Sequence, residues 1–198
     1  MKLAAITGSI GCGKTTLSKI VRRLGYVVYD IDGWVRRLYY QKDFIKVIAA
    51  HFPEVMEGEK VNKRKLRNLV FGDNARLKVL ESLIHPFLKQ TLMNVRRRNA
   101  RRADLFFMDV ALLFEMGWDK YCDYIVVADV DYETQKMRVM RRDNISAADF
   151  DKINRIQMDN AAKKVLADVI INTDKPINLL KVELLAMIEE IELSLIHI

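Results

Sequence analysis

Residues 3–24 read LAAITGSIGCGKTTLSKIVRRL and contain the most specific structural pattern of the sequence. The apolar run from Leu3 to Thr7 predicts a buried strand, and the apolar spacing from Thr15 to Leu24 predicts a helix. The segment that joins them, Gly8 to Thr15, matches the pattern G-x-x-x-x-G-K-S/T. A strand, a glycine-rich loop and a helix in this order are typical of a phosphate-binding loop, and a plain glycine turn is the weaker alternative.

The residue types of this loop suit a nucleoside triphosphate. Glycines let backbone N–H groups close around phosphate oxygens, and the start of the following helix presents the positive end of its dipole. Lys14 would reach the β- and γ-phosphates, and the hydroxyl of Thr15 would bind Mg²⁺. We expect the nucleotide to contact the whole segment: Gly8, Ser9, Ile10, Gly11, Cys12, Gly13, Lys14, Thr15 and Thr16. The motif leaves open whether water or another molecule receives the γ-phosphate.

Four further apolar runs alternate with helical stretches along the chain. They are Tyr26–Tyr29, Leu105–Val110, Tyr124–Ala128 and Val169–Ile171. This alternation predicts an α/β fold with a parallel sheet. The apolar character of residues 124–128 is continuous, which predicts a strand that helices cover on both faces.

Composition narrows the class of protein. The chain has 198 residues, of which 51% are hydrophobic and 30% charged, enough for one core or a core with an inserted subdomain. Its formal net charge of +7 suits an anionic partner such as a nucleotide or a coenzyme. Cys12 and Cys122 form no cluster with metal-ligand spacing, which excludes structural zinc and fits a reducing compartment. With no signal peptide and no uncharged run of membrane-spanning length, we expect a soluble, cytoplasmic protein.

Helical patterns fill the space between the second and third predicted strands. Residues 34–102 show helical spacing only, which predicts an inserted helical subdomain in which Pro86 ends or kinks one helix and begins the next. Its apolar positions are interpreted as core: Leu77, Leu80, Leu83, Ile84, Phe87 and Leu88. Further along, Ser146 and Asp149 predict a capping box that opens a short helix, and residues 180–195 predict a final amphipathic helix.

Two carboxylates, Asp30 and Asp32, end the second predicted strand. A strand would project residues two apart to the same side, and the carboxyl ends of parallel strands face the ligand crevice. One carboxylate could orient an acceptor hydroxyl and accept its proton, while the other could hold Mg²⁺ through water. The alternative, stronger for Asp30 than for Asp32, is a cap on the following helix.

Three arginines, Arg138, Arg141 and Arg142, fall at the end of another predicted helix. A run of positive charge is more often a solvated helix face. In a chain with a phosphate-binding loop, however, Arg138 and Arg142 could close over the triphosphate and neutralise charge on the transferred group.

Taken together, these motifs resemble the dephospho-CoA kinase family along nearly the whole chain. The resemblance rests on residues 6–16, residues 29–32 with Arg36, LIHP at 83–86, DVALLFE at 109–115, Thr134-Gln135 with Arg138 and Arg142-Asp143, QM at 157–158 and ADVIIN at 167–172. Each match is weak alone, but their order and spacing are specific. Ala111 replaces the family's usual proline and Ser9 its second loop glycine, and neither change alters the expected chemistry.

The resemblance implies an α/β fold of the P-loop kinase type, with a parallel five-stranded sheet flanked by helices, an inserted helical acceptor domain and a helical lid. Residues 1–33, 103–137 and 161–198 would form the nucleotide-binding core, residues 34–102 the CoA-side subdomain and residues 138–160 the lid. It also implies ATP-dependent phosphorylation of the ribose 3′-hydroxyl of dephospho-CoA, which gives coenzyme A and ADP with Mg²⁺ as cofactor.

Residue roles follow from the same resemblance. Asp32 would face the acceptor hydroxyl, with Lys14 and Arg138 as its catalytic partners. Arg142 and Asn172 would contact the nucleotide, the latter near the adenine. The acceptor would be bound by four residues: Asp30, Asp32, Arg36 and His85. The histidine precedes a proline, so a structural role at a helix start is its alternative.

Other functions fit less well. Shikimate kinase is the nearest alternative, but the Gly triplet on its third strand has no counterpart here, and no Asn-Lys-x-Asp motif indicates a GTPase. The basic segment Arg96–Arg98 with Arg101 and Arg102 would suit nucleic acid, yet no recognition motif accompanies it. We expect no nucleic-acid or membrane partner and a monomer or small homo-oligomer. The role of Asp109 stays open between support of Mg²⁺ and capping.

Overall fold

The computed structural model describes residues 1–70, 73–100 and 104–196, with the backbone alone for 195 and 196. Its strands are β1 (Lys2–Thr7), β2 (Val28–Asp30), β3 (Met56–Glu57), β4 (Lys60–Val61), β5 (Leu105–Asp109), β6 (Tyr124–Asp129) and β7 (Val169–Asn172). Its α-helices are α1 (Lys14–Arg23), α2 (Ile31–Leu38), α3 (Lys42–His51), α4 (Lys63–Val70), α5 (Asn74–Arg98), α6 (Tyr132–Asp143), α7 (Ala147–Ile156), α8 (Asn160–Val165) and α9 (Ile177–Ile196). The chain forms two compact units, Met1–Tyr29 with Ala103–Ile198, and Asp30–Arg102.

The first unit is built on a five-stranded sheet with the order β2-β5-β1-β6-β7. Strand β1 runs parallel to β5 and β6, and β6 runs parallel to β7. The register sets Ile6 opposite Asp109 and Thr7 opposite Val127, so the carboxyl ends of three strands meet at one edge. All five predicted strands are present, although β2 begins at Val28, two residues later than predicted.

The core of this unit joins the sheet to helices α1 and α9. Buried apolar side chains from all three meet in one cluster, among them Ile6, Leu17, Val21, Val126, Leu180, Leu184, Ile188 and Ile191. The predicted final amphipathic helix is thus confirmed, and the side chain of Leu195 lies outside the described residues. Because this core holds both β1 and α1, the segment between them is anchored at both ends.

Helices α6 and α7 each begin with a side-chain cap. Asp131 accepts a hydrogen bond from the N–H of Thr134 at 2.9 Å. Ser146 accepts from the N–H of Asp149 at 3.2 Å and donates its hydroxyl to the carboxylate of that residue at 2.7 Å. These contacts confirm the predicted capping box. Within the described residues, no helix is long and apolar enough to span a membrane.

The second unit is mostly helical, but it also contains the antiparallel hairpin of β3 and β4. The prediction of helices alone for residues 34–102 is wrong at this point. Strands of two residues show no alternating pattern, and the turn is marked only by Gly58, whose φ is 60°. In the interior, Phe44 makes edge-on ring contacts with Tyr39 and Phe87 at centroid distances of 5.3 and 5.2 Å.

Pro86 lies inside α5, a single helix of 25 residues, so the prediction that one helix ends there and another begins is wrong. A proline inside a helix removes one backbone hydrogen bond. Leu80, on one side of Pro86, and Leu88 and Leu92, on the other, are buried. Burial on both sides offsets the missing hydrogen bond, and the remaining predicted core positions of α5 are half-buried.

Candidate functional site

The predicted phosphate-binding loop, residues 8–15, joins the end of β1 to the start of α1. Gly11 and Gly13 have φ angles of 81° and 84°, a left-handed conformation that other residues rarely adopt. A Cβ atom on Gly11 would lie 2.6 Å from Cγ2 of Val139, and one on Gly13 would lie 2.6 Å from Oγ1 of Thr173. The loop therefore packs closely against α6 and against the residue that follows β7.

The second half of the loop opens onto the N-terminus of α1. Gly13 is the N-cap residue, and Lys14 and Thr15 begin the first turn. The first N–H groups of a helix have no acceptor within the helix, and a glycine cap provides no side chain for them. This is the arrangement with which helices bind phosphate.

The ammonium group of Lys14 forms an ion pair with the carboxylate of Asp109. Asp109 is the last residue of β5, and the two side chains are 14% and 10% exposed. Because β5 pairs in register with β1, its last residue lies beside the beginning of the loop. The structure thus gives Asp109, whose role the sequence left open, a direct contact with the loop lysine.

The oxygen atoms around Lys14 suit a hard divalent cation. The side chain of Thr15 is exposed on the first turn of α1, and Asp109 presents a carboxylate to the neighbouring residue. Mg²⁺ prefers oxygen ligands and is commonly held by one or two protein groups together with phosphates and water. These residues fit a magnesium ion that arrives with a triphosphate.

Three carboxamide side chains hold the first half of the loop. Ile10 donates its N–H to Oε1 of Gln157 at 2.8 Å, and its carbonyl accepts from Nε2 of Gln135 at 2.7 Å. Ser9 donates its N–H to Oδ1 of Asn160 at 3.2 Å. Sequence reasoning did not assign these three side chains to the site, because at least 125 residues separate each one from its loop partner. The family resemblance at Gln135 and Gln157 was their only signal.

Arg138, predicted to be catalytic, is attached to the loop through Thr173. Its guanidinium donates to Oγ1 of Thr173 at 3.0 Å and to the carboxylate of Asp174 at 2.9 Å. The hydroxyl of Thr173 in turn donates to the carbonyl of Cys12 at 2.9 Å. Thr173 is thus a further residue that sequence reasoning missed, and its contacts link Arg138 to the loop.

Arg142 and Asn172, the other predicted nucleotide contacts of this unit, have local partners. Arg142 donates two hydrogen bonds to the carboxylate of Asp143, at 2.8 and 2.7 Å. This pairing raises the pKa of the Arg142 guanidinium. Asn172 ends β7, where it accepts the N–H of Asp174 at 2.8 Å and lines a cavity of about 440 Å³.

Cys12 occupies a fully buried position in the loop. Burial, followed by the negative charge of Asp129, raises the pKa of its thiol to about 11. The thiol is therefore neutral at physiological pH and acts as a small apolar side chain.

Two of the predicted acceptor residues, Asp30 and Arg36, pair with each other within the second unit. Asp30 caps α2, since its carboxylate accepts the N–H of Gly33 at 2.9 Å. The same carboxylate pairs with Arg36 at 2.9 Å. The capping alternative for Asp30 is confirmed.

Asp32 and His85 lie on two helices of this unit. Asp32 is the exposed second residue of α2. The prediction that a strand projects it to the same side as Asp30 is wrong, because α2 begins at Ile31 and strand alternation stops there. His85 is half-buried in the middle of α5, so its alternative as a helix start is wrong.

Comparisons with known proteins agree with this geometry. The family model described as "Dephospho-CoA kinase" matches residues 2–178. A dephospho-CoA kinase of Bartonella henselae is 34% identical over 194 residues, which cover 96% of this chain and 98% of the relative. A crystal structure from Thermus thermophilus has a TM-score of 0.83 at 32% identity and covers 96% of this chain and 97% of its own. A dephospho-CoA kinase of Campylobacter jejuni shares the fold, with a TM-score of 0.70 at 23% identity and coverage of 98% and 99%.

A parallel sheet whose first strand runs through a phosphate-binding loop into a helix, in a chain with a helical insert, defines a P-loop kinase-type protein. Within that class, the chain belongs to the dephospho-CoA kinase family. The match favours neither shikimate kinase nor a nucleic-acid-binding protein.

Proposed function

We propose that this protein transfers the γ-phosphoryl group of ATP to the ribose 3′-hydroxyl of dephospho-CoA and releases coenzyme A and ADP. The observation that carries the proposal is a complete phosphate-binding loop in a member of the dephospho-CoA kinase family. Phosphoryl transfer depends on alignment and charge stabilisation and needs no protein nucleophile.

On the nucleotide side, the β- and γ-phosphates of ATP would bind at the second half of the loop and the start of α1. Their oxygens would compete with Asp109 for the ammonium of Lys14. Once Lys14 turns to the phosphates, the Asp109 carboxylate becomes available to a water ligand of Mg²⁺. The magnesium ion, bound by Thr15 and the phosphates, would neutralise charge on the transferred group.

On the acceptor side, Asp32 would accept a hydrogen bond from the 3′-hydroxyl, orient its oxygen toward the γ-phosphorus and receive its proton. Asp32 lies exposed on the first turn of α2, where a substrate hydroxyl can reach its carboxylate. The carboxylate of Asp30 already accepts from Gly33 and pairs with Arg36. Its proposed contact with dephospho-CoA would therefore act through Arg36, whose guanidinium suits the anionic acceptor, together with His85.

Residues 138–160 are proposed as the lid. Closure would bring Arg138 and Arg142 to the charge that develops on the transferred phosphoryl group and would exclude water from it. Arg142 would exchange Asp143 for phosphate in that step. Exclusion of water separates transfer to an alcohol from simple hydrolysis of ATP.

Several finer expectations stay predictions. They are the cytoplasmic location, a monomer or small homo-oligomer, and the lack of a nucleic-acid or membrane partner. In the basic segment that could suit nucleic acid, Arg96–Arg98 end α5, whereas Arg101 and Arg102 lie outside the described residues.

The test is ADP release from Mg-ATP with dephospho-CoA, adenosine, shikimate or no acceptor. We expect turnover with dephospho-CoA alone, with the new phosphate on the 3′-oxygen. Asp32→Asn should lower kcat by roughly a hundred- to a thousandfold and leave ATP binding unchanged, because a general base contributes about that much. Asp43→Asn, at an exposed aspartate in the first turn of α3, is the matched control. ADP release at the same rate with and without an acceptor would contradict the proposal.

A further inference from the structure

The peptide groups that flank Ile10 are held from both sides by uncharged side chains. Its N–H donates to Gln157 at 2.8 Å and its carbonyl accepts from Gln135 at 2.7 Å. The N–H of Ser9 donates to Asn160 at 3.2 Å. We call Gln135, Gln157 and Asn160 the amide clamp. It fixes the first half of the phosphate-binding loop through backbone atoms alone, whatever side chains the loop carries.

The clamp is itself fixed by the elements around it. Gln135 is 4% exposed on α6, and its Nε2 also donates to Oδ1 of Asn154 on α7 at 3.1 Å. Asn160 donates to Asp129 at the end of β6 at 2.7 Å. Contacts from helices α6, α7 and α8 and from strand β6 therefore converge on the loop.

An ion pair between the buried Lys163 and the partly exposed Glu115 secures the segment after α7, which carries two of the three clamp residues. The N–H of Met158 donates to Oε1 of Glu115 at 2.7 Å, and the carbonyl of Met158 accepts from the hydroxyl of Ser9 at 3.4 Å. Lys163, which is fully buried, pairs with Glu115 at 3.1 Å and donates to the carbonyl of Ala111 at 3.1 Å. A buried lysine is costly unless both its charge and its hydrogen bonds are satisfied, so this anchor resists displacement.

The loop thus has two halves with different partners. The N–H groups of Ser9 and Ile10 have protein acceptors, while the second half opens at the start of α1. All three clamp side chains are amides, so they hold the loop without placing a negative charge beside a triphosphate.

We propose that the amide clamp sets the shape of the phosphate-binding loop before nucleotide binds, with Gln157 as a positioning residue. Preorganisation lowers the free-energy cost of ordering the loop and so tightens ATP binding. Gln135 lies just before the proposed lid, residues 138–160, and Gln157 lies near its end, and both side chains bind the same residue, Ile10. A lid movement that separates α6 from α7 would therefore change the contacts that hold Ile10 in the loop. This inference rests on the proposed ATP site.

The test compares Gln157→Met, which removes the acceptor at similar side-chain length, with Gln90→Met on the exposed face of α5. Calorimetry without acceptor gives the Kd of Mg-ATP, and hydrogen exchange reports the Ile10 amide. In Gln157→Met we expect ATP binding to weaken about three- to tenfold and Ile10 to exchange faster, since one hydrogen bond is lost. The KM of dephospho-CoA should stay within about twofold, because ground-state binding of the acceptor does not use the loop. Gln90→Met should change none of these quantities.

Gln157→Glu supplies the conservative rescue. Its carboxylate can accept the same N–H, so the Ile10 amide should stay as protected as in the native protein. Unchanged ATP affinity and Ile10 exchange in Gln157→Met would overturn the inference, as would loss of Ile10 protection in Gln157→Glu. Both readouts omit the acceptor, so they stand even if the proposed acceptor is wrong. Conversely, normal turnover with unaltered ATP binding in Gln157→Met would contradict the inference about the clamp and would leave the proposed function intact.

Discussion

The phosphate-binding loop and the predicted acceptor residues of the second unit are built in different ways. In the loop, backbone atoms make the contacts with the amide clamp, and two glycines with φ near 80° allow the tight turn of the chain. In the second unit, the predicted acceptor residues are side chains on helices. Asp32 and Arg36 are exposed on α2, and His85 is half-buried in α5.

This difference explains why the phosphate-binding loop is specified by a short motif, whereas the predicted acceptor residues are not. A backbone cradle requires particular residues at fixed spacing, because only glycine tolerates the dihedral angles and the close packing. Side chains on a helix surface can be replaced or moved by a turn without loss of the helix, so their pattern alone carries little information about a ligand.

The largest effect should come from Lys14→Met, which removes the charged side chain of the phosphate-binding loop. We expect kcat/KM to fall about a thousandfold, because the loop loses the one charge that reaches the transferred group. The thermal midpoint should also fall, since Asp109, 10% exposed, would lose its partner. Steady-state kinetics and thermal unfolding measure the two effects.

Lys19→Met, at an exposed position of α1, is the matched control and should change neither quantity. Asp109→Asn added to Lys14→Met should recover stability without activity, because the amide needs no cation. Turnover within about tenfold of the native protein in Lys14→Met would show that this lysine does not act on the phosphates.

The reactivity of Cys12 tests whether the phosphate-binding loop stays closed in solution. With a pKa of about 11, the thiol of Cys12 is ionised in only about one molecule in a thousand at pH 8. The reaction with iodoacetamide should therefore be about a hundredfold slower than for a thiol with the ordinary pKa of 9.0, and burial slows it further. Raising the pH toward 11 should accelerate labelling.

Mass spectrometry after a short pulse of reagent gives the labelled fraction at each cysteine. Cys122, which is half-buried, is the internal reference, and denatured protein should label at both positions. Equal rates at the two cysteines of the folded protein would mean that the loop opens in solution.

Much of the fold was predictable from sequence. The apolar runs predicted all five strands of the main sheet. Burial explains the signal best for β1 and β5, because a strand buried on both faces must be largely apolar, whereas β2 and β7 are only partly buried. The failures lie in the second unit, where the hairpin at Gly58 is too short for a pattern and burial around Pro86 outweighs the local preference of proline. The first error arises where no local signal exists, and the second where tertiary contacts override one.

The candidate site likewise combines residues that a local motif predicts with contacts that depend on the tertiary fold. Lys14 and the glycines follow from one local motif, whereas the pairing of Lys14 with Asp109 depends on the register between β1 and β5. The amide contacts to Ile10 come from Gln135 on α6 and from Gln157 after α7, both at least 125 positions away in the chain. No local pattern contains that information, so only the family resemblance drew attention to Gln135 and Gln157.

The smallest predicted effect separates the two aspartates that the sequence grouped together. Asp30→Ala removes the cap of α2 and should lower the free energy of unfolding by about 1 kcal/mol. Asp30→Asn should stay close to the native value, because asparagine caps equally well and the exposed pair with Arg36 contributes little. Urea midpoints of the full chain measure both. If Asp30→Asn is as unstable as Asp30→Ala, the ion pair with Arg36 rather than the cap holds the start of α2. The second unit would then rely on charged surface contacts even for its local structure, which would widen its difference from the loop.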